Sequence, residues 1–296
     1  LGAIAGVAGS ASEHIPVIVI SGVPPLFAKR NQFQVHHSLA DGNMKNMANV
    51  YKEFTVEQTL ITQQNAQEEI DRAIRKAMRY KRPVNLQLPS NISYFEIDID
   101  DAPLAPLHHA SDEQNLALAI DTIVKQFQKA KRPAVLIDQD VDRYEVTGVL
   151  QAFIDKTQTP YAQMSTGKAI LNENQPLYMG VYRGAMSDEG VQEKIEGADF
   201  LLSVSPRFIE KNSGYYSQNL PEDHFVRMEK DYCFVGVECF EGVDIKDVLH
   251  GLLDKVEEIT QDTTEQEETK PDYAYQADGK LSHKNFWPQV QAFFSE

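Results

Sequence analysis

The adjacent histidines His36 and His37 are the residues of this chain best suited to chemistry, because imidazole both gives and takes protons near neutrality. They stand in Gln34-Val35-His36-His37-Ser38-Leu39-Ala40-Asp41-Gly42, a turn-rich stretch downstream of the apolar run Ile15-Pro16-Val17-Ile18-Val19-Ile20. Such a run reads as a parallel strand covered on both faces. Ligands of open parallel sheets gather where strands end and loops begin. A proton relay at a reacting centre is one reading of the pair, and two solvated loop residues is the other. The chain carries its own comparison in His108-His109, which follow Pro103 and Pro106 in a connector and read as solvated.

Other patterns offer less chemistry. Cys233 and Cys239 lie six positions apart in what reads as one strand, at neither a metal nor a redox spacing, and are expected to be small packing residues facing the same side. Ser165-Thr166-Gly167-Lys168-Ala169 lacks the earlier glycine and the final hydroxyl of a phosphate-binding loop. Gly180-Val181-Tyr182-Arg183-Gly184 has neither the glycine spacing of a dinucleotide fingerprint nor an apolar strand just before it.

The elements that must position these residues alternate between strand and helix. A small-residue segment from Ala3 to His14 is helix-compatible and precedes a strand at 15–21. Strands are expected at 52–58 and 84–89, flanking an amphipathic helix at 65–80 in which Ala66, Ile70, Ala73, Ile74 and Ala77 share a face. Beyond a connector at 101–112, helices are expected at 113–130, 145–156, 187–197 and 244–259, and strands at 134–137, 160–163 and 200–204. Alternation of this kind predicts an α/β chain of two doubly wound units, the second Rossmann-like with a mainly parallel sheet. The last residues, with Phe286, Trp287, Val290, Phe293 and Phe294 at helical spacing, should bury a face either on the second unit or within a longer protein.

Composition narrows the class of partner. A formal charge of −16 over 296 residues argues against nucleic acid and anionic membranes, whose phosphates attract lysine and arginine. No stretch is apolar enough to span a bilayer and none resembles a secretory signal, so a cytoplasmic location is expected.

Several blocks together resemble the thiamine-diphosphate-dependent 2-oxo acid decarboxylases, with pyruvate and indolepyruvate decarboxylases the nearest types. They are Ala3–His14, the strand ending Ser21-Gly22-Val23-Pro24, the pair His36-His37, and Arg82-Pro83-Val84-Asn85-Leu86-Gln87-Leu88-Pro89-Ser90-Asn91. Gly167-Lys168 and Gly180–Gly184 resemble segments of the family's central domain, and the blocks keep the family's order along essentially the whole chain. The resemblance implies residues 1–100 as the later part of a pyrimidine-binding domain and 101–112 as a linker. It further implies 113–260 as a complete Rossmann-like central domain, 261–281 as an acidic linker and 282–296 as the lead-in to a diphosphate-binding domain.

It also implies non-oxidative cleavage of a 2-oxo acid to an aldehyde and carbon dioxide, with thiamine diphosphate and Mg2+ as cofactors and a homodimer or homotetramer as the assembly. The cofactor carries the carbanion chemistry and the protein supplies orientation and protons. His36 and His37 match the family's active-site pair and would relay protons and help position the substrate carboxylate. Adjacent imidazolium ions repel, so both should not stay protonated without a nearby anion. No cofactor-binding or metal-binding residue is expected in this chain: the activating glutamate is expected upstream of Leu1 and the Gly-Asp-Gly…Asn metal motif downstream of Glu296, with Asp278-Gly279 too close to the end to serve. The chain alone is therefore expected to be inactive.

Glu13 is expected to be structural or at a subunit interface. Ile137-Asp138-Gln139-Asp140-Val141-Asp142 stands where some pyruvate decarboxylases carry a cysteine linked to substrate activation, so that regulation is not expected here. Two other readings stay open, an acetolactate-synthase-like carboligase, which generally lacks the histidine pair, and a non-catalytic nucleotide-binding or regulatory module.

Overall fold

The computed structural model describes residues 2–107, 110–257 and 281–295. His108-His109, the stretch at 261–280 and Asp278-Gly279 lie outside them. The chain divides into two compact units, Leu1–Thr260 and Gln261–Glu296. In the second, α10 (His283–Ser295, labelled in chain order with the elements below) carries edge-to-face pairs, Phe286 on Trp287 and Phe293 on Phe294, with both members of the latter pair exposed.

The first unit begins with α1 (Ile4–Ser12), β1 (Ile18–Val23), α2 (Leu26–Arg30), α3 (Asn46–Lys52), β2 (Glu57–Leu60), α4 (Ala66–Tyr80) and β3 (Val84–Pro89). It continues with α5 (Glu113–Phe127), β4 (Pro133–Ile137), α6 (Asp140–Arg143), α7 (Thr147–Thr157), β5 (Tyr161–Gln163), β6 (Tyr178–Val181) and α8 (Glu189–Glu196). It closes with β7 (Phe200–Val204), β8 (Phe225–Met228), β9 (Tyr232–Val235), β10 (Glu238–Glu241) and α9 (Ile245–Lys255).

The first three strands form a parallel sheet in the order β1-β3-β2. Helix α4 lays Ala66, Ala73 and Ala77 on Val84 and Leu86 of β3 and on Ile61, small residues that let helix and strand approach closely. The left-handed Lys81, at φ 52°, ends α4, and Pro83 prevents its continuation. Strand β1 differs from expectation. It lies at the sheet edge with Ile18 and Ile20 46% and 67% exposed, so its apolar side chains are not covered on both faces. The expected strand at 52–58 is also displaced: Lys52 ends α3, and pairing with β3 begins only at Glu57.

The other strands form one sheet in the order β10-β9-β8-β7-β4-β5-β6, parallel from β8 to β6 and antiparallel at β9 and β10. Period-two alternation sends Val135 and Ile137 of β4 to the face covered by α5, α7 and α9, and Ala134 and Leu136 to the face covered by α8. Helices α5 and α9 start where Asp112 and Asp244 accept backbone N–H groups of Asn115 (2.8 Å) and Lys246 (2.9 Å), satisfying donors the helices leave orphaned. Full burial of residues such as Leu136, Phe153 and Leu202 contributes about 1.5–3 kcal/mol each.

Three further expectations need correction. Helix 145–156 is α7 and begins only at Thr147, because the left-handed Glu145 separates it from the short helix α6. Gly180, expected to have no apolar strand just before it, lies inside strand β6. Cys233 and Cys239 belong to different strands, because Gly236, at φ 58°, turns β9 into β10. In that register Cys239 pairs with Phe234 and Cys233 with Phe240, which puts the cysteines on opposite faces, Cys233 buried and Cys239 exposed.

Candidate functional site

His36 and His37 sit on a long connection that leaves the carboxyl end of β1. Pro24 and Pro25 stop the strand, and Asn91, beyond the carboxyl end of β3, accepts a hydrogen bond from Leu26 N (2.9 Å), joining the two strand-end loops. The connection then closes on itself. Gly42 adopts φ 74° and approaches Gln32 so closely that a Cβ would stand 2.6 Å from its carbonyl oxygen, a position only glycine can fill. Inside the closed segment Gln32, His37 and Ala40 are all left-handed, a conformation costing roughly 1–2 kcal/mol for a residue with a side chain.

Side chains hold these turns together. The Ser38 hydroxyl donates to Val35 O and accepts from Ala40 N (3.1 Å), and Asp41 Oδ1 accepts from Asn43 N (2.9 Å). The two imidazoles stand 4.7 Å apart between centroids, tilted by 54°, and both residues are exposed. The structure thus displays the pair together at the surface of the chain, on a strained segment, where each ring can exchange protons with whatever is placed against it.

A second polar assembly, which sequence reasoning missed, occupies the carboxyl ends of β4, β7 and β8. Asp138 is fully buried; its Oδ1 accepts from Gln139 N (2.7 Å) and Thr166 Oγ1 (2.5 Å), and its Oδ2 from Arg207 N (2.9 Å). Burial raises this carboxyl above its ordinary value and the hydrogen bonds resist the rise. Gly167 lies against it, where a Cβ would come within 2.9 Å of Asp138 Cα. This is the switch point between β4 and β7, where an open α/β sheet would take a nucleotide, and the protein's own side chains fill it.

Beside it, His14 Nδ1 approaches Asp140 Oδ2 to 2.6 Å, with the side chains only 15% and 3% exposed. Neither His14 Nδ1 nor Asp140 Oδ1 has a hydrogen-bonding partner, so the contact is electrostatic rather than a well-aligned hydrogen bond. Burial pushes the Asp140 carboxyl up to about 6, against the pull of Arg207, Arg82 and Arg143. Burial likewise lifts Glu229, at the end of β8, to about 7, opposed by Arg227 and reinforced by Asp140. Glu13 joins through Arg207 NH1 at 3.8 Å, and Arg207 also donates to Ser12 O, so the end of α1 is tied to the loops after β4 and β7. The clue in the sequence was the pair of aspartates immediately after an apolar strand, a position where buried carboxylates need partners.

Among the described residues no three histidine, cysteine, aspartate or glutamate side chains converge as a metal ion requires. No helix among them is long and apolar enough to cross a membrane.

Comparison with known proteins gives this geometry a context. Residues 120–245 match the family model for the central domain of thiamine pyrophosphate enzymes. A putative pyruvate decarboxylase of Schizosaccharomyces pombe is 30% identical over 100% of this chain and 53% of its own length. A pyruvate decarboxylase of Candida albicans is 32% identical over 84% of this chain and 45% of its own. An alpha-keto-acid decarboxylase of Mycobacterium leprae is 32% identical over 85% of this chain and 44% of its own. The chain spans about half the length of the curated relatives it matches.

Proposed function

Because this chain belongs to the thiamine pyrophosphate enzymes, we propose that it is a large part of a 2-oxo acid decarboxylase, which releases carbon dioxide and an aldehyde from pyruvate or an aromatic or branched analogue such as indolepyruvate. One observation carries the reading: in a chain similar over its whole length to curated pyruvate decarboxylases, His36 and His37 are held side by side on a closed loop. In this proposal residues 1–100 belong to a pyrimidine-binding domain, 101–112 are a linker, 113–260 form the central domain, 261–281 are an acidic linker, and 282–296 lead toward a diphosphate-binding domain.

The family implies thiamine diphosphate, which supplies the site where carbon dioxide leaves and a carbanion is stabilised. Magnesium is proposed with it. The described residues do not by themselves form a site for either: no metal-ligating cluster converges, and the histidine loop lines neither the cavity beside Ile74 and Met78 nor the one beside Gln63 and Gln67. The chemistry assigned to this chain is therefore proton transfer at imidazole. Decarboxylation to an aldehyde requires a proton delivered to carbon and another taken from oxygen, and a neutral imidazole beside a protonated one provides an acceptor and a donor.

A homodimer or homotetramer and a cytoplasmic location complete the proposal, the latter supported by two cysteines that are both free. A carboligase is disfavoured by the histidine pair. A nucleotide-binding module is disfavoured by the filled crevice at Asp138, Thr166 and Gly167. The test is aldehyde release by the full-length polypeptide from a panel of 2-oxo acids with thiamine diphosphate and magnesium. Turnover of at least one substrate supports the proposal, and acetolactate formation without aldehyde release overturns it in favour of the carboligase.

A further inference from the structure

Among the described residues, one hydrogen bond ties the connection that carries His36 and His37 to the end of a neighbouring strand, Leu26 N donating to Asn91 Oδ1. We propose that Asn91 is a positioning residue for the histidine pair: its side-chain carbonyl anchors the start of the connection and so fixes where the two imidazoles are held. This role rests on the assignment of proton transfer to those histidines.

The need for such an anchor follows from the residues that end β1. Its last ladder bond to β3 is Ser90 N donating to Val23 O, at 3.0 Å. Pro24 and Pro25 come next and have no N–H to donate, so Leu26 N is the first main-chain donor beyond the strand. Leu26 also opens α2, and the first N–H groups of a helix have no partner within it. Asn91 Oδ1 supplies that partner at 2.9 Å, a cap delivered from the end of β3 rather than from the residues before α2.

Asn91 is itself held in place. Ile92 N donates to Pro89 O (2.9 Å) and the Ser93 hydroxyl to Ser90 O (3.1 Å), closing the turn after β3, and Ile92 packs against the core shared by α4 and β3. The connection has no comparable second tie. Among the described residues, every other hydrogen bond of residues 26–44 finds its partner between Pro25 and Asn46. Phe33 N donates to the carbonyl of buried Ala28 (3.0 Å), which carries the placement of α2 into the segment closed by Gln32 and Gly42.

Amide hydrogen exchange and histidine ring resonances of the chain, together with turnover by the full-length polypeptide, test this in wild type, Asn91→Ala and Asn91→Asp. Alanine removes the acceptor and aspartate keeps it. In Asn91→Ala the amides of Leu26 and Phe33 should exchange about tenfold faster and the ring signals of both histidines should shift, while the amides of β3 keep their protection. Asn91→Asp should match wild type in all three. In the full-length polypeptide kcat should fall about tenfold in Asn91→Ala, with thiamine diphosphate affinity within about threefold of wild type, and should recover in Asn91→Asp. Unchanged exchange at Leu26 and Phe33 in Asn91→Ala, equal loss of protection in β3, the same losses in Asn91→Asp, or unchanged kcat once the loop is released would each overturn the proposal. If wild type and variants turn over no 2-oxo acid while the exchange pattern is as expected, the decarboxylase reading fails and the anchoring of the pair by Asn91 stands.

Discussion

Replacing Glu229 with glutamine should stabilise the chain at alkaline pH and do little in mild acid. The Glu229 side chain is 25% exposed, and its nearest cation, Arg227 Nε, stands at 3.7 Å, too far for a hydrogen bond. Burial lifts its carboxyl from 4.5 to about 7. The folded chain therefore holds a proton that the unfolded chain has released, and stability must fall as pH rises through that window. The full shift corresponds to about 3 kcal/mol, of which about 2 kcal/mol is lost between pH 5 and 8.5 because the unfolded state is already partly ionised at pH 5. Glutamine keeps the shape and cannot ionise. Urea unfolding of wild type and Glu229→Gln at both pH values reads this titration together with its coupling to Asp140, since groups that do not feel Glu229 cancel between the two proteins. The difference in stability should move by about 2 kcal/mol in favour of the variant from pH 5 to 8.5. A difference independent of pH would refute the assignment of Glu229 as a buried carboxyl protonated near neutrality.

Other consequences are as direct. Gly42→Ala forces a side chain onto the Gln32 carbonyl and a residue with a Cβ into the left-handed region, so the histidine loop should open at a cost of about 1–2 kcal/mol. Unchanged histidine proton resonances in the variant would contradict that closure. Asp138→Ala strips the acceptor from Thr166, Arg207 N and Gln139 N at a buried site and should destabilise by about 2–4 kcal/mol in thermal or urea unfolding, because several donors lose their partner together. Of the two cysteines, only the exposed Cys239 should react with a thiol reagent in the native chain. Cys233 is buried, its thiol pushed up to about 12 by desolvation, and should label only on unfolding.

Much of the fold was legible because local pattern and tertiary role agree. The runs that became β4 and β7 are apolar at every position but Ser203 because helices cover both faces, and α4 declares its buried stripe through alanines at helical spacing. Where one signal fits two environments, the reading slipped. The apolar run of β1 says nothing about whether a neighbour covers it, and Ile20 is largely exposed. Tyr232 to Phe240 looks like one strand unless Gly236 is given the left-handed turn it adopts.

The site was legible in the same partial way. Residue types exposed the histidine pair, but the closure that displays it depends on a contact between Gln32 and Gly42 that periodicity cannot report. The His14–Asp140 contact joins residues far apart in the chain, and only the packing of the end of α1 against the loop after β4 brings them together.

The central claim is that His36 and His37 move protons rather than hold the cofactor or the fold. It is tested by comparing kcat with the affinity for thiamine diphosphate in the full-length polypeptide for wild type, His36→Gln and His37→Gln. Removing a general acid or base typically costs about 10²–10⁴ in rate. Each variant should lose turnover on that scale while binding the cofactor within about threefold of wild type, and the pH profile of kcat should lose one limb. Turnover unchanged in both variants, or lost only in proportion to cofactor affinity, would contradict the account.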